Sequence, residues 1–177
     1  MEAAVFLDRD GVLNPLIEEE GGHRSPRTAE EFELDDGAAR IVAELREAGY
    51  RVFIVTNQPD LARGKLPLEE LRVMNSRIRA RLGVDDLRVC PHDDADECEC
   101  RKPAPGMLHV LAKRWGVDLS ASYMVGDTWR DVDAGRAAGC TTILIRRPYN
   151  IDVEADHVAD TLEEAAALIL ERASAHV

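Results

Sequence analysis

The 177-residue chain is 45% hydrophobic, enough for a single compact domain over 1–177 with a substantial buried core. Its 22 basic and 34 acidic side chains give a formal net charge of −12, which argues against a nucleic-acid backbone or an anionic membrane as its main partner. No apolar run reaches the ~18 residues that span a bilayer, and the short opening apolar stretch lacks the basic flank of a signal peptide, so a cytoplasmic monomer is expected.

In chain order, the apolar run 3–7 reads as a buried strand that ends in Asp8-Arg9-Asp10-Gly11. The segment 15–32 reads as a loop. A helix is predicted over 36–48, with Ala39, Val42, Ala43 and Leu45 at helical spacing and Gly49 as its stop. Strand 51–55 runs into Thr56-Asn57-Gln58, helix 68–82 ends at Gly83, and strand 86–89 leads to Cys90. Pro105 can occupy the first turn of a helix over 105–115 stopped by Gly116. Strand 122–125 ends in Gly126-Asp127-Thr128, and a short helix follows over 131–138. Cys140 reads as a small buried residue entering strand 141–145; 152–156 reads as a surface loop, Val158 as a short sixth strand and 162–173 as a terminal helix. This alternation predicts an α/β fold, a Rossmann-like three-layer sandwich around a central parallel sheet.

In such sheets ligands bind beyond the carboxyl ends of the strands, so Asp8 and Asp10, Thr56 and Asn57, and Asp127 are expected to converge on one crevice. Paired carboxylates suit Mg²⁺, which takes oxygen ligands and lets a phosphate complete its octahedron. Thr56, Asn57 and Gln58 offer a hydroxyl and two amides for phosphate oxygens, and Lys102 offers a cation for phosphoryl charge. Singly, each has a plainer reading: Asp and Gly as turn residues, lysine as a solvated surface group.

A second cluster, Cys90-Pro91-His92 followed after five residues by Cys98-Glu99-Cys100, puts four soft or borderline ligands within eleven positions. Two tight pairs joined by a short loop can close round a tetrahedral Zn²⁺ with no open position, the pattern of a structural site. The alternatives are a disulfide, strained if drawn between Cys98 and Cys100, and a solvated acidic loop around Asp93, Asp94, Asp96, Glu97 and Glu99.

The D-x-D-G motif at Asp8, the strand-end Thr56, Lys102 and the G-D-x-x-x-D segment from Gly126 to Asp131 resemble, in order, those of the haloacid dehalogenase superfamily of aspartate-nucleophile phosphatases. The resemblance implies that Asp8 attacks phosphorus and that Asp10 serves as acid and then base. It also implies Mg²⁺ on Asp8, the Asp10 carbonyl and Asp127, with Asp131 in support, and Thr56 and Lys102 on the phosphoryl oxygens. The zinc loop, 90–105, with the sequence C-x-H…C-x-C-R-K-P, is similar to that of two phosphatase groups. One removes the 7-phosphate of D-glycero-D-manno-heptose 1,7-bisphosphate and the other acts on histidinol phosphate. Cys90, His92, Cys98 and Cys100 match the zinc ligands of both, and the zinc would brace the loop that delivers Arg101 and Lys102.

No insertion is long enough for a separate cap domain, so an open site for a small phosphorylated metabolite is expected, shaped by loop 15–32 and the zinc loop. Arg24, Arg27, Arg63, Lys65 and Arg101 could serve a second phosphate, whereas Glu18, Glu19 and Glu20 would suit the amine of histidinol phosphate. The segments 61–65 and 121–127 favour the heptose group, and the short zinc loop favours the histidinol group. Pro59-Asp60 departs from the heptose pattern, which leaves the role of Arg63 open, and Thr128, where a lysine often stands, removes one possible phosphate contact. A broad sugar-phosphate phosphatase is a third reading. A silenced phospholigand-binding protein is a fourth, opposed by the presence of both Asp8 and Asp10.

Overall fold

In the computed structural model, which describes residues 2–174, β1 (Ala4–Leu7) is followed by a hairpin of β2 (Ile17–Glu19) and β3 (Gly22–Arg24). Then come α1 (Ala38–Glu47), β4 (Arg51–Asn57), α2 (Leu68–Leu82), β5 (Asp86–Cys90), α3 (Gly106–Trp115), β6 (Tyr123–Gly126), α4 (Trp129–Ala138), β7 (Thr141–Ile145), β8 (His157–Ala159) and α5 (Leu162–Ser174). Six strands form one parallel sheet in the order β5-β4-β1-β6-β7-β8, and β2 and β3 pair antiparallel outside it.

The central strands are continuously apolar over 4–7 and 52–55 because helices cover both faces. Along β1, Val5 and Leu7 join one core and Ala4 and Phe6 the other; along β4, Val52 and Ile54 join the first and Phe53 and Val55 the second. The first core is completed by Ile41 and Leu45 of α1, Met74 and Ile78 of α2, and Ala165 and Ile169 of α5. The second is completed by Leu108 and Leu111 of α3 and Ala134 of α4. This is the three-layer Rossmann-like arrangement expected, and no helix among the described residues is long and apolar enough to cross a membrane.

The predicted boundaries shift where capping decides them. The first helix begins at Ala38 rather than at 36, because the Asp35 carboxylate accepts from the Gly37 N–H and holds a turn there. The fourth begins at Trp129, not 131, because Thr128 and Asp131 form a capping box. The largest departure is in 15–32, read as loop, where β2 and β3 form a hairpin turned by Gly21 and Gly22, both at positive φ (90° and 153°). Its strands are only three residues each and largely exposed, so no hydrophobic alternation marks them.

Candidate active site

Chain order reverses across β1, which pairs with β4 on one side and β6 on the other, so the crevice beyond its carboxyl end lies between Asp8, Thr56 and Asp127. Gly11 turns the chain behind the carboxylates at φ +87°, and any side chain there would collide with the Asp127 carboxylate.

Lys102 is fully enclosed, and its ammonium donates to Asp8 Oδ1 at 2.8 Å, Asp131 Oδ1 at 2.5 Å and the Val55 carbonyl at 2.8 Å. Asn57 grips the same residue's backbone: its amide donates to the Lys102 carbonyl at 3.0 Å and accepts from the Lys102 N–H at 3.1 Å. Burial, then repulsion by Asp131, pushes the Asp8 carboxyl well above its ordinary range, against the attraction of Lys102.

Asp10 sits differently. Arg9 donates to both its oxygens at 3.0 Å, Asn14 donates to Oδ1 at 3.0 Å and Gln58 to Oδ2 at 2.7 Å. Burial acts to raise this carboxyl, but the Arg9 charge and these bonds outweigh it and hold Asp10 below its ordinary range. Thr56 Oγ1 accepts from Gln58 at 2.8 Å.

Carboxylate oxygens of Asp8, Asp127 and Asp131 lie within 4.8 Å of one another. Asp131 is committed elsewhere, with Oδ1 on Lys102 and Oδ2 accepting from the Thr128 N–H and hydroxyl. Asp127 is not: Oδ2 accepts from the Tyr149 hydroxyl, while Oδ1 is buried with no hydrogen-bond partner. Burial and the Asp131 charge raise the Asp127 carboxyl to about 6. A buried acceptor left without a donor beside further carboxylates is what a hard divalent cation would satisfy, so these residues fit Mg²⁺.

The second cluster also assembles. Cys90, His92, Cys98 and Cys100 place one ligand atom each within 4.8 Å of the others. Sulfur separations are 3.6, 3.4 and 3.2 Å, and His92 Nδ1 lies 3.6 and 3.3 Å from Cys90 and Cys100. No disulfide joins them. Edges of this length approach the ~3.8 Å expected round a tetrahedral ion with ~2.3 Å metal–sulfur bonds, and the donor set could hold a metal. Burial acts upward on Cys98, but bonds from Cys100 and the Arg101 backbone bring its thiol down to about 7.

Asp8, Asp10, Asn57, Arg101, Lys102 and Asp127 line a crevice of about 260 Å³. Thr56 is buried at its edge and does not line it. Arg63 lies outside, its guanidinium held by Asp93 at 2.6 Å on two nitrogens, and Arg27 is likewise tied to Asp60 at 2.7 Å. Tyr149, Arg130 and His23 line the crevice without having been singled out by sequence, and Arg24, named there for a second phosphate, lines it too. His23 stacks on Tyr149 with ring centroids 4.3 Å apart, so the hairpin leans over the site. Tyr149 lies after β7 in no motif, and its only sequence signal is that β7 must also end beside the crevice.

The model of the haloacid dehalogenase-like hydrolases matches residues 14–139. The chain belongs to the haloacid dehalogenase-like hydrolase family. A D-glycero-β-D-manno-heptose-1,7-bisphosphate 7-phosphatase of Rhodopseudomonas palustris is 38% identical, over 92% of this chain and 93% of that one. The enzyme of that name from Escherichia coli is 34% identical, over 89% and 86%. Among solved structures, the D,D-heptose 1,7-bisphosphate phosphatase of B. bronchiseptica, complexed with magnesium and phosphate, superposes with a TM-score of 0.84 at 31% identity, covering 96% of this chain and 99% of that one. This haloacid dehalogenase-like hydrolase is accordingly a phosphatase.

Proposed function

We propose that the chain is a Mg²⁺-dependent phosphomonoesterase that works through an aspartyl-phosphate and removes the 7-phosphate of D-glycero-D-manno-heptose 1,7-bisphosphate in the cytoplasm. The observation that carries the chemistry is the convergence of Asp8, Lys102 and Asp127 on the crevice floor, with Asp10 held apart from the carboxylate trio by its own donors. Asp8 Oδ attacks phosphorus as the bond to the sugar oxygen breaks, and Asp10, ionised in the free protein, takes up a proton as the anionic phosphoryl group binds beside it and gives that proton to the leaving oxygen. Asp10 then takes a proton from water as the water attacks phosphorus, releasing inorganic phosphate and restoring Asp8. Lys102 faces the developing charge, and the Thr56 hydroxyl and Arg101 orient the phosphoryl group. Mg²⁺ would be held by Asp8, the Asp10 carbonyl and Asp127, where it would neutralise phosphoryl charge.

The substrate rests on the relatives' names and on Arg130, a guanidinium group at the crevice suited to a second phosphate, with Arg24 beside the same crevice but already paired to Glu31. Glu18 and Glu19 line a neighbouring groove instead, which supports the heptose over histidinol phosphate. Zn²⁺ is our assignment for the Cys90, His92, Cys98 and Cys100 cluster, in a bracing role, and its thiol ligands suit a reducing compartment. The deciding experiment measures phosphate release with Mg²⁺ from the heptose bisphosphate and histidinol phosphate at equal concentration. A large preference for the heptose is expected; a preference for histidinol phosphate would move the assignment. Asp8→Asn should lower turnover by ~10³-fold or more with the fold intact, and a normal rate would remove Asp8 as nucleophile.

A further inference from the structure

We propose that Gln58 is a positioning residue of the reaction, fixing the Asp10 carboxylate and the Thr56 hydroxyl in one mutual geometry; this rests on the aspartyl-phosphate reading above. Gln58 is 1% exposed and both N–H donors of its side chain are spent on these two groups, so it acts through them and not on substrate. Its Nε2 lies 2.7 Å from Asp10 Oδ2 and 2.8 Å from Thr56 Oγ1. An ionised carboxylate can only accept, so the nitrogen and not the oxygen must face Asp10, and a side-chain amide has two N–H donors, one for each partner.

Consider what those two donors do. With Arg9 on both oxygens and Asn14 on Oδ1, Gln58 supplies the fourth bond of a carboxylate that offers about four lone-pair positions. Arg9 and Asn14 belong to the same turn as Asp10 and move with it. Gln58 alone among the three donors reaches across from the end of β4, 48 residues away, and so ties the acid/base group to the strand that binds phosphate. At Thr56 the amide occupies a lone pair, which leaves the hydroxyl proton free for a phosphoryl oxygen. Gln58 is itself anchored, its backbone N–H donating to the Cys90 carbonyl at 2.8 Å, so its amide is set against the first residue of the Cys/His cluster. The two amides that follow Thr56 therefore divide the site between them: Asn57 holds Lys102, and Gln58 holds Asp10.

The test compares kcat/KM for phenyl phosphate and p-nitrophenyl phosphate, with Mg²⁺, in the wild-type protein, Gln58→Leu, Gln58→Glu and Asp10→Asn. The ratio kcat/KM reports the step in which the ester bond breaks, and nitrophenolate leaves with little help from a proton. Misplacing Asp10 should therefore cost phenyl phosphate ~10- to 100-fold and p-nitrophenyl phosphate several-fold less. Both Gln58 variants should show that split; the glutamate keeps length and polarity should the leucine fail to fold. Equal losses on the two esters, tracking a lowered Tm, or no loss at all would overturn the proposal. Asp10→Asn separates the levels: full phenyl phosphate turnover in that variant would instead overturn the acid/base role of Asp10 itself.

Discussion

Lys102 is 2% exposed, and its ammonium is enclosed by Asp8, Asp131 and the Val55 carbonyl. Burial disfavours the charged amine, but Asp131 and Asp8 more than compensate and hold it above its ordinary range, so it stays cationic. Lys102→Met would leave two buried carboxylates facing each other, and a loss of ~3–5 kcal/mol in unfolding free energy is expected by denaturant titration. A loss under ~1 kcal/mol would mean that the pair relaxes by taking up a proton. At this scale the sequence was legible where a short motif sits at a strand end: Asp8, Asp10, Asn57, Lys102 and Asp127 all reach the crevice. It was not legible where a side chain's partner is remote in sequence. Nothing local shows that Gln58 turns to Asp10, that Tyr149 meets Asp127, or that Arg63 is taken by Asp93.

Between residues and the whole lies the β2–β3 hairpin, which overhangs the site through His23 and Arg24. Arg24 anchors it by donating to both Glu31 oxygens, at 2.8 and 2.7 Å. The Arg24 bond, helped by the Arg27 N–H, holds the Glu31 carboxyl down at about 2. A carboxyl lowered on folding contributes stability that is fully present above its unfolded pKa and lost as pH falls through the folded one. The Tm gap between the wild-type protein and Glu31→Gln should therefore be flat above pH ~5 and close towards pH 2. A gap that persists at pH 2 would assign Glu31 a role other than this pair. The hairpin also marks the limit of pattern reading for elements. Helices declare themselves by periodic burial, as α2 does at both ends, and buried strands by a continuous apolar run, as β7 does, whereas three-residue strands stabilised by an ion pair carry neither signal.

On the scale of the molecule, one sheet separates two apolar cores, and the site stands at its carboxyl edge. Phe53 crosses from sheet to helix layer, with its ring centroid 5.3 Å from Phe6 and 5.8 Å from Trp115. Phe53→Ala should cost ~3–5 kcal/mol by urea denaturation, and a cost below ~1 kcal/mol would show that α3 collapses into the space. The net charge of −12 opposes an anionic substrate, and the crevice sets Lys102, Arg101, Arg130 and Arg24 against Asp8, Asp10, Asp127 and Asp131. A divalent cation on those carboxylates would tip the local balance, because salt screens the more distant charges beyond ~8 Å.

Among the described residues β5 pairs with β4 alone, so half of its backbone ladder has no sheet partner there. Strands held on one side open at lower free energy than those in the middle, yet this one leads into the loop that returns with Lys102. The Cys/His cluster begins at Cys90, the last residue of β5, and a metal there would tie down the end of this strand. Amide hydrogen exchange should report it directly: chelation should speed exchange at Gln58, whose N–H reaches the Cys90 carbonyl, and across residues 86–90, while β1 and β6 stay protected. A uniform acceleration across the sheet would show instead that the cluster holds the whole fold and not this margin of it.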